Sequence, residues 1–329
     1  MLDLDEGLLK RMLRDNPFFM NEIENDSSDT KKYVNIFENM KEVADYIRQT
    51  RINENIFREN DLSSETTGTG RFHDFYDFKS AFDAFEYGTD QYFDSFNDEL
   101  KKVDDYIKKY SILDKISYKN DMVGFTPIVP NCIIGNPINM VNQIKKERHL
   151  PSATIIFEKA VTCGYNSHEM VKFASIIFSL IQVLEKKGIR CEVYISSTFK
   201  EENEIYSYKI KTKNFMQPLN LYKMQFPVIA SDMFRRIGFR LLETCPYLKN
   251  SYWRSSYGST LIGKTKEYDL TENGEPTPKL QELLGIKQND IFIPSSAYFN
   301  YDSDDDIEDT IEKIIKRTNF KKYIKLGGE

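Results

Sequence analysis

The run Ala153-Thr154-Ile155-Ile156-Phe157 holds one polar position among five, the pattern of a strand covered on both faces. Asn166 and Glu169 stand three apart ahead of an apolar-rich stretch from Met170 to Lys187, which Gly188 closes. That spacing predicts a capped helix. Arg190 to Ser197 then reads as a second β-rich segment, close enough to return parallel to the first through a right-handed crossover. The unit predicts an α/β core of three-layer, Rossmann-like type with a parallel sheet organised around Ile155 and Val193. Folds of this kind place their chemistry at the carboxyl rim of the sheet. Here Glu158 stands alone at that rim; a single carboxylate is not a catalytic set, so the rim is expected to be chemically empty.

The flanking segments predict a less regular arrangement. Ile36, Met40, Val43 and Ile47 recur at helical spacing within Tyr33 to Ile56, and with a patch at Leu4 to Leu13 they predict a polar helical arm and linker over residues 1–66. Asp61 to Gly70 is built of small polar residues that bury little, which suits a linker. Residues 67–150 are expected to form a helical and Pro-rich region packing on an α/β domain at 151–329. Within it Phe75, Phe78, Phe82 and Phe85 form a helical stripe, read as a face turned to the core. Asp121 to Met140 is apolar but interrupted by Pro127, Pro130 and Pro137, which excludes a long helix and predicts a partly buried loop with short strands. Glu204 to Thr212 reads as a strand, placed at an edge because of its lysines. Leu221 to Cys245 predicts a helix pair or a helix bent near Pro227, Asp290 to Pro294 a short strand, and Asp302 to Arg317 a closing amphipathic helix.

A chain of 329 residues with 40% hydrophobic residues can build a sizeable core. A formal net charge of −6 argues against wrapping nucleic acid by bulk electrostatics, so proteins are the expected partners. Cys132, Cys163, Cys191 and Cys245 lie far apart with no zinc-ligand spacing, and predict reduced, packed thiols and no metal. Met1 to Glu6 lacks a basic start followed by an apolar stretch, and no segment reaches the length of a membrane span. A soluble protein away from membranes is expected.

Gly258-Ser259-Thr260-Leu261-Ile262-Gly263-Lys264-Thr265 matches the phosphate-loop pattern, in which backbone amides and the lysine surround phosphates and the hydroxyl holds magnesium. Gly258, Gly263, Lys264 and Thr265 are therefore the candidate nucleotide site. Its lead-in, Asn250 to Tyr257, is not a buried strand, and Asp269 to Pro276 after it does not read as an immediate helix, so a Gly-containing surface turn competes with it. The acids between Asp302 and Asp309 lack the glycine of a calcium loop and suit the first turn of a helix. His73, His149 and His168 fall in different elements, and no catalytic set is assigned. Arg235, Arg236 and Arg240 share one apolar helix and are candidates for a partner or phosphate contact.

Several short motifs occur in order between Gly68 and Arg317: Gly68-Thr69-Gly70, Ser80 to Ala84, Gly124 to Pro130, Gly135 to Met140, the strand-helix-strand unit, Met233 to Phe239 and Asp290 to Pro294. In this series the chain resembles a group of uncharacterised tailed-phage and prophage proteins with a von Willebrand A-like, Rossmann-like core. The resemblance implies a phage origin, a location in the host cytoplasm or the virion, and no activity that transfers. The metal-binding version of that fold needs Asp-x-Ser-x-Ser after its first strand, where this chain has Glu158-Lys159-Ala160-Val161-Thr162. No metal or other cofactor is expected. The function expected is therefore that of a non-enzymatic phage protein binding phage or host proteins, as a scaffold or in an assembly. Two alternatives stand beside it: a nucleotide-binding or nucleotide-hydrolysing enzyme using Lys264 and Thr265, and a nucleic-acid binder using Arg235 and Arg236.

Overall fold

The computed structural model describes residues 20–23, 30–69, 73–107, 110–112, 118–124, 126–143, 152–159, 167–186, 188–262, 266–271, 275–294, 311–312, 314–316, 318–322 and 324–326. The chain begins with β1 (Met20–Ile23), β2 (Lys31–Phe37) and α1 (Met40–Gln49), followed by α2 (Phe78–Tyr87) and α3 (Phe93–Ile107). Next come β3 (Tyr110–Ile112), β4 (Tyr118–Asp121), β5 (Thr126–Pro127), α4 (Val129–Ile133) and β6 (Met140–Gln143). The central unit is β7 (Ser152–Glu158), α5 (Ser167–Lys186), β8 (Arg190–Glu201) and β9 (Glu204–Lys213). It is followed by α6 (Leu221–Ile229), a π-helix (Met233–Gly238), α7 (Phe239–Glu243), α8 (Trp253–Ser256) and β10 (Ser259–Thr260). The last elements are α9 (Pro278–Leu284), β11 (Ile291–Ile293) and β12 (Ile324–Leu326).

The main sheet runs β1-β2-β9-β8-β7-β11, with β10 beside the far end of β8. Among its five central strands, β2 with β9, β8 with β7 and β7 with β11 are parallel, and only the β8–β9 hairpin is antiparallel. Ile155 lies opposite Val193, so the parallel pair expected from the sequence is present in that register. The strand period of two divides the side chains between faces. Ile155, Phe157, Val193 and Ile195 enter a large apolar layer built from the helices α1, α2, α3, α5 and α6, whereas Ile156, Tyr194 and Phe292 meet α9 on the other face. The fold is a mixed α/β arrangement with helices on both sides of a largely parallel central sheet. α5 is buried well beyond one stripe because α3 covers its outer side, where Phe96 meets Phe178 edge to face at 5.3 Å.

Three expectations are corrected. Tyr33 to Ile56 is not one helical patch: Lys31–Phe37 is a strand paired in parallel with β9 inside the main sheet, and the helix starts only at Met40. Its N-cap is Asn39, whose side chain accepts the Glu42 N–H. β9 is not an edge strand, since β2 and β8 flank it. Its lysines are accommodated because each amine finds partners: Lys209 Nζ donates to Leu284 O at the end of α9, Lys213 Nζ donates to Cys191 O and pairs with Glu185, and Lys211 pairs with Glu38 and Glu192. The negative end of a helix dipole is a favourable seat for such an ammonium. Finally, Asp61 to Thr69 is not a slack connection. A 3-10 turn at Glu59–Asp61 leads into it and a second, Ser63–Glu65, lies within it, with Ser64 fully buried.

Candidate functional site

At the carboxyl end of β7 the chain turns inward with two ionisable residues in succession, Glu158 and Lys159, both fully buried. Glu158 accepts from the Thr198 N–H at 3.0 Å and from Ser196 Oγ at 3.1 Å, two groups on β8 brought alongside by the parallel register. Lys159 Nζ donates to the carbonyls of Val228 and Ile229, the last two residues of α6. Burial lowers its pKa from the ordinary lysine range to about 7, against which the Asp74 carboxylate acts. The rim expected to be empty therefore carries a buried polar cluster.

The cluster continues through the π-helix. Asp74 accepts from both the N–H and the hydroxyl of Ser231. Asp232, fully buried, accepts from the Asp74 and Phe75 N–H groups at 2.7 and 2.8 Å, from Arg236 Nε at 2.8 Å, and faces His73 Nδ1 at 2.8 Å. Arg236 uses all five of its N–H donors. Besides Asp232 they reach the carbonyls of Ser64, Thr66, Phe75 and Tyr76. A wider π turn is a local departure common near specialised sites; here it carries Arg236 while Gly238 lets the Tyr208 ring approach to where a Cβ would lie 2.7 Å from its hydroxyl. Next to it, Glu243 accepts from the Ser64 N–H and hydroxyl and from Tyr257 OH. Burial raises the Glu243 pKa.

Chemically this arrangement is a knot. The Asp232 carboxylate and the Arg236 guanidinium are saturated by the chain itself, and what they join is residues 64–66 and 73–76 to the segment 231–236. Asp232 and Arg236 are fully buried, whereas the His73 side chain is 16% exposed and Asp74 and Ser231 are partly buried. Among the described residues no group of three His, Cys, Asp or Glu converges as a metal site.

The residues singled out in the sequence fall as follows. Arg236 is corrected as a partner contact, because it is fully buried and spent internally. Arg240 packs its guanidinium 4.3 Å from the centre of the Phe78 ring and pairs with Glu65 and Glu243; Arg235 is half-buried on the π-helix. Gly258 adopts a left-handed φ of 70°, and a Cβ there would lie 2.5 Å from the Trp253 ring. Ser259–Thr260 that follows is a short strand antiparallel to β8, whereas Gly263, Lys264 and Thr265 lie outside the described residues, as do Cys163, His149 and Asp302 to Asp309. Cys191 and Cys245 are buried thiols raised to about 12 by burial. Cys132 is exposed, against the expectation of a packed thiol.

A second feature lies on the surface. β4, β6 and β5 form a small antiparallel sheet of their own, with α4 between its second and third strands. Asp121 to Met140, expected to be partly buried, instead presents Met122, Val123, Val129, Ile133, Ile134 and Ile138 to solvent. Ile133 and Ile134 are 79% and 75% exposed. The prolines explain the short elements: Pro130 occupies the first turn of α4, and Pro127 ends the ladder of β5. Asn131 Nδ2 donates to Ile138 O and closes the loop on itself. Exposed apolar residues gathered in one excursion mark contact surfaces.

Residues 18–321 match the family described as a domain of unknown function (DUF7192), and the chain belongs to that family. No curated protein and no solved structure matches it. Among the described residues no helix is long and apolar enough to cross a membrane.

Proposed function

We propose that this member of the family is a non-enzymatic protein-interaction or scaffold module, encoded by a tailed phage or prophage, with a von Willebrand A-like core and a contact surface on the excursion at residues 122–138. The observation that carries this reading is the group of six large apolar side chains exposed within one stretch of 17 residues, whereas the other exposed large apolar residues are spread along the rest of the described chain. The sequence motifs between Gly68 and Arg317 support the phage and von Willebrand A-like terms of the proposal. At the position of that fold's metal motif, Lys159 places its own amine against two helix-end carbonyls, consistent with a scaffold that works without an ion.

The test is capture of binding partners by the tagged full-length chain in the cells that produce it, compared with Ile133→Asp/Ile134→Asp. Proteins retained by the unaltered chain and lost with the double variant are expected. Identical recovery with both chains would overturn the assignment of this surface.

A further inference from the structure

We infer that the apolar excursion is a self-association surface, and that its occupant is the same excursion of a second copy of this chain. The inference rests on the interaction reading above and specifies its partner. Residues 122–143 contain no Asp, Glu, Lys, Arg or His, in a chain of which 29% is charged. The two charges just before, Lys119 and Asp121, pair with each other at 2.7 Å. In a two-fold contact every residue near the axis faces its own copy or a close neighbour of it, so any charge there meets a like charge. A charge-free apolar face is the composition that two-fold pairing tolerates, and it lets chains of net charge −6 meet without apposing like charges.

The area is also of the right size. Met122, Val123, Val129, Ile133, Ile134 and Ile138 are between 48% and 79% exposed, which for side chains of this size amounts to on the order of several hundred Å², against the roughly 800 Å² per partner of a standard interface. Strand addition through β5 is not the mode of contact: β5 is two residues long and ends in Pro127, which cannot extend a ladder, and the other edge, β4, lies outside the charge-free stretch and carries Lys119 and Asp121. Side-chain packing of α4 and the turns flanking it is what the geometry offers. A bilayer is the less fitting occupant, since the surface has no Lys or Arg to meet headgroups.

The experiment is sedimentation equilibrium of the full chain over a range of micromolar concentrations, beside Ile133→Asp/Ile134→Asp and, separately, Met122→Asp/Val123→Asp. The unaltered chain is expected to reach twice the monomer mass, and each double variant to dissociate with a constant on the order of 100-fold weaker. Far-ultraviolet circular dichroism must match in all three, and two independent variants guard against one failing to fold. A monomer at every concentration, or a dimer that survives both variants, would overturn the proposal. So would flotation of the unaltered monomer with neutral phosphatidylcholine vesicles. If the chain is monomeric yet loses captured partners in the double variant, self-pairing fails while the broader interaction reading stands; if it captures nothing as well, both fail.

Discussion

Replacing Arg236 by leucine removes the guanidinium that ties residues 64–66 and 75–76 to the π-helix. Five hydrogen bonds vanish, and the fully buried Asp232 loses its only described cationic partner other than His73. Breaking a buried ion pair from one side costs about 3–5 kcal/mol, because the surviving charge stays buried. Each stranded carbonyl adds a share of the roughly 1–3 kcal/mol penalty of an unsatisfied buried group, reduced where water reaches it. A loss of at least about 4 kcal/mol follows, a large part of the roughly 5–15 kcal/mol that holds a folded domain together. With an unfolding entropy of about 2 cal/mol/K per residue over the whole chain, that loss lowers the melting temperature by on the order of 6 °C. Calorimetry and urea titration of the variant read the effect. Arg236→Lys is expected to recover only part of it, since an ammonium keeps the charge but cannot reach four carbonyls at once. A change below about 1 kcal/mol in Arg236→Leu would refute the knot as the fastening of this region.

Other outcomes follow from the same structure. Burial lowers Lys159 to about 7, so from pH 7 to about pH 9 the unfolded chain keeps a proton that the folded chain has released; stability must rise with pH in that window. Lys159→Met is expected to flatten that rise in chemical denaturation, and equal slopes for both proteins would refute it. Above about pH 9 the buried thiols act oppositely, because burial holds Cys191 and Cys245 up at about 12. Glu204 accepts from the Trp253 indole at 2.7 Å and from the N–H groups of Lys249 and Asn250, so Glu204→Gln should cost about 2 kcal/mol and shift the emission of the single tryptophan; an unchanged spectrum and midpoint would contradict this. Gly258→Ala should destabilise by roughly 1–3 kcal/mol through the Trp253 clash and the left-handed backbone, read as a fall in melting temperature.

What the sequence disclosed was the part of the fold set by local pattern. The strand-helix-strand unit was legible because an apolar run, a helix and a second β-rich run lie within one stretch, and their register follows from a short crossover. Strand β2 was not. Its Ile36 fitted a helical stripe, yet it is an exposed residue of the strand, while Lys32 and Asn35 are buried. Lysines misled again in β9, because the carbonyls that receive Lys209 and Lys213 leave no mark in the sequence. The same holds for the knot: the Asp232–Arg236 spacing of four was visible, but the carbonyls of Ser64, Thr66, Phe75 and Tyr76 lie more than 150 positions away along the chain. For the excursion one usable signal existed, the charge-free stretch from Met122 to Gln143. Its apolar residues suggested burial, and the fold instead turned them outward.

Polarity is thus inverted twice in this chain, with charges locked inside at the rim and apolar groups held outside on the excursion. The two inversions have different physical consequences. A buried, saturated network resists rearrangement because any alternative packing strands an ionic group, so it fixes the placement of residues 64–66 and 73–76 against the π-helix. An exposed apolar excursion gains most when something covers it, since the free energy of removing its surface from water is released only on contact. Substitutions in the first should therefore lower stability, and substitutions in the second should lower association while leaving stability within about 0.5 kcal/mol. A substitution at Ile133 that destabilised the monomer as strongly as one at Arg236 would show that the excursion is packed against the body of the protein, and the contact surface would then have to be sought elsewhere.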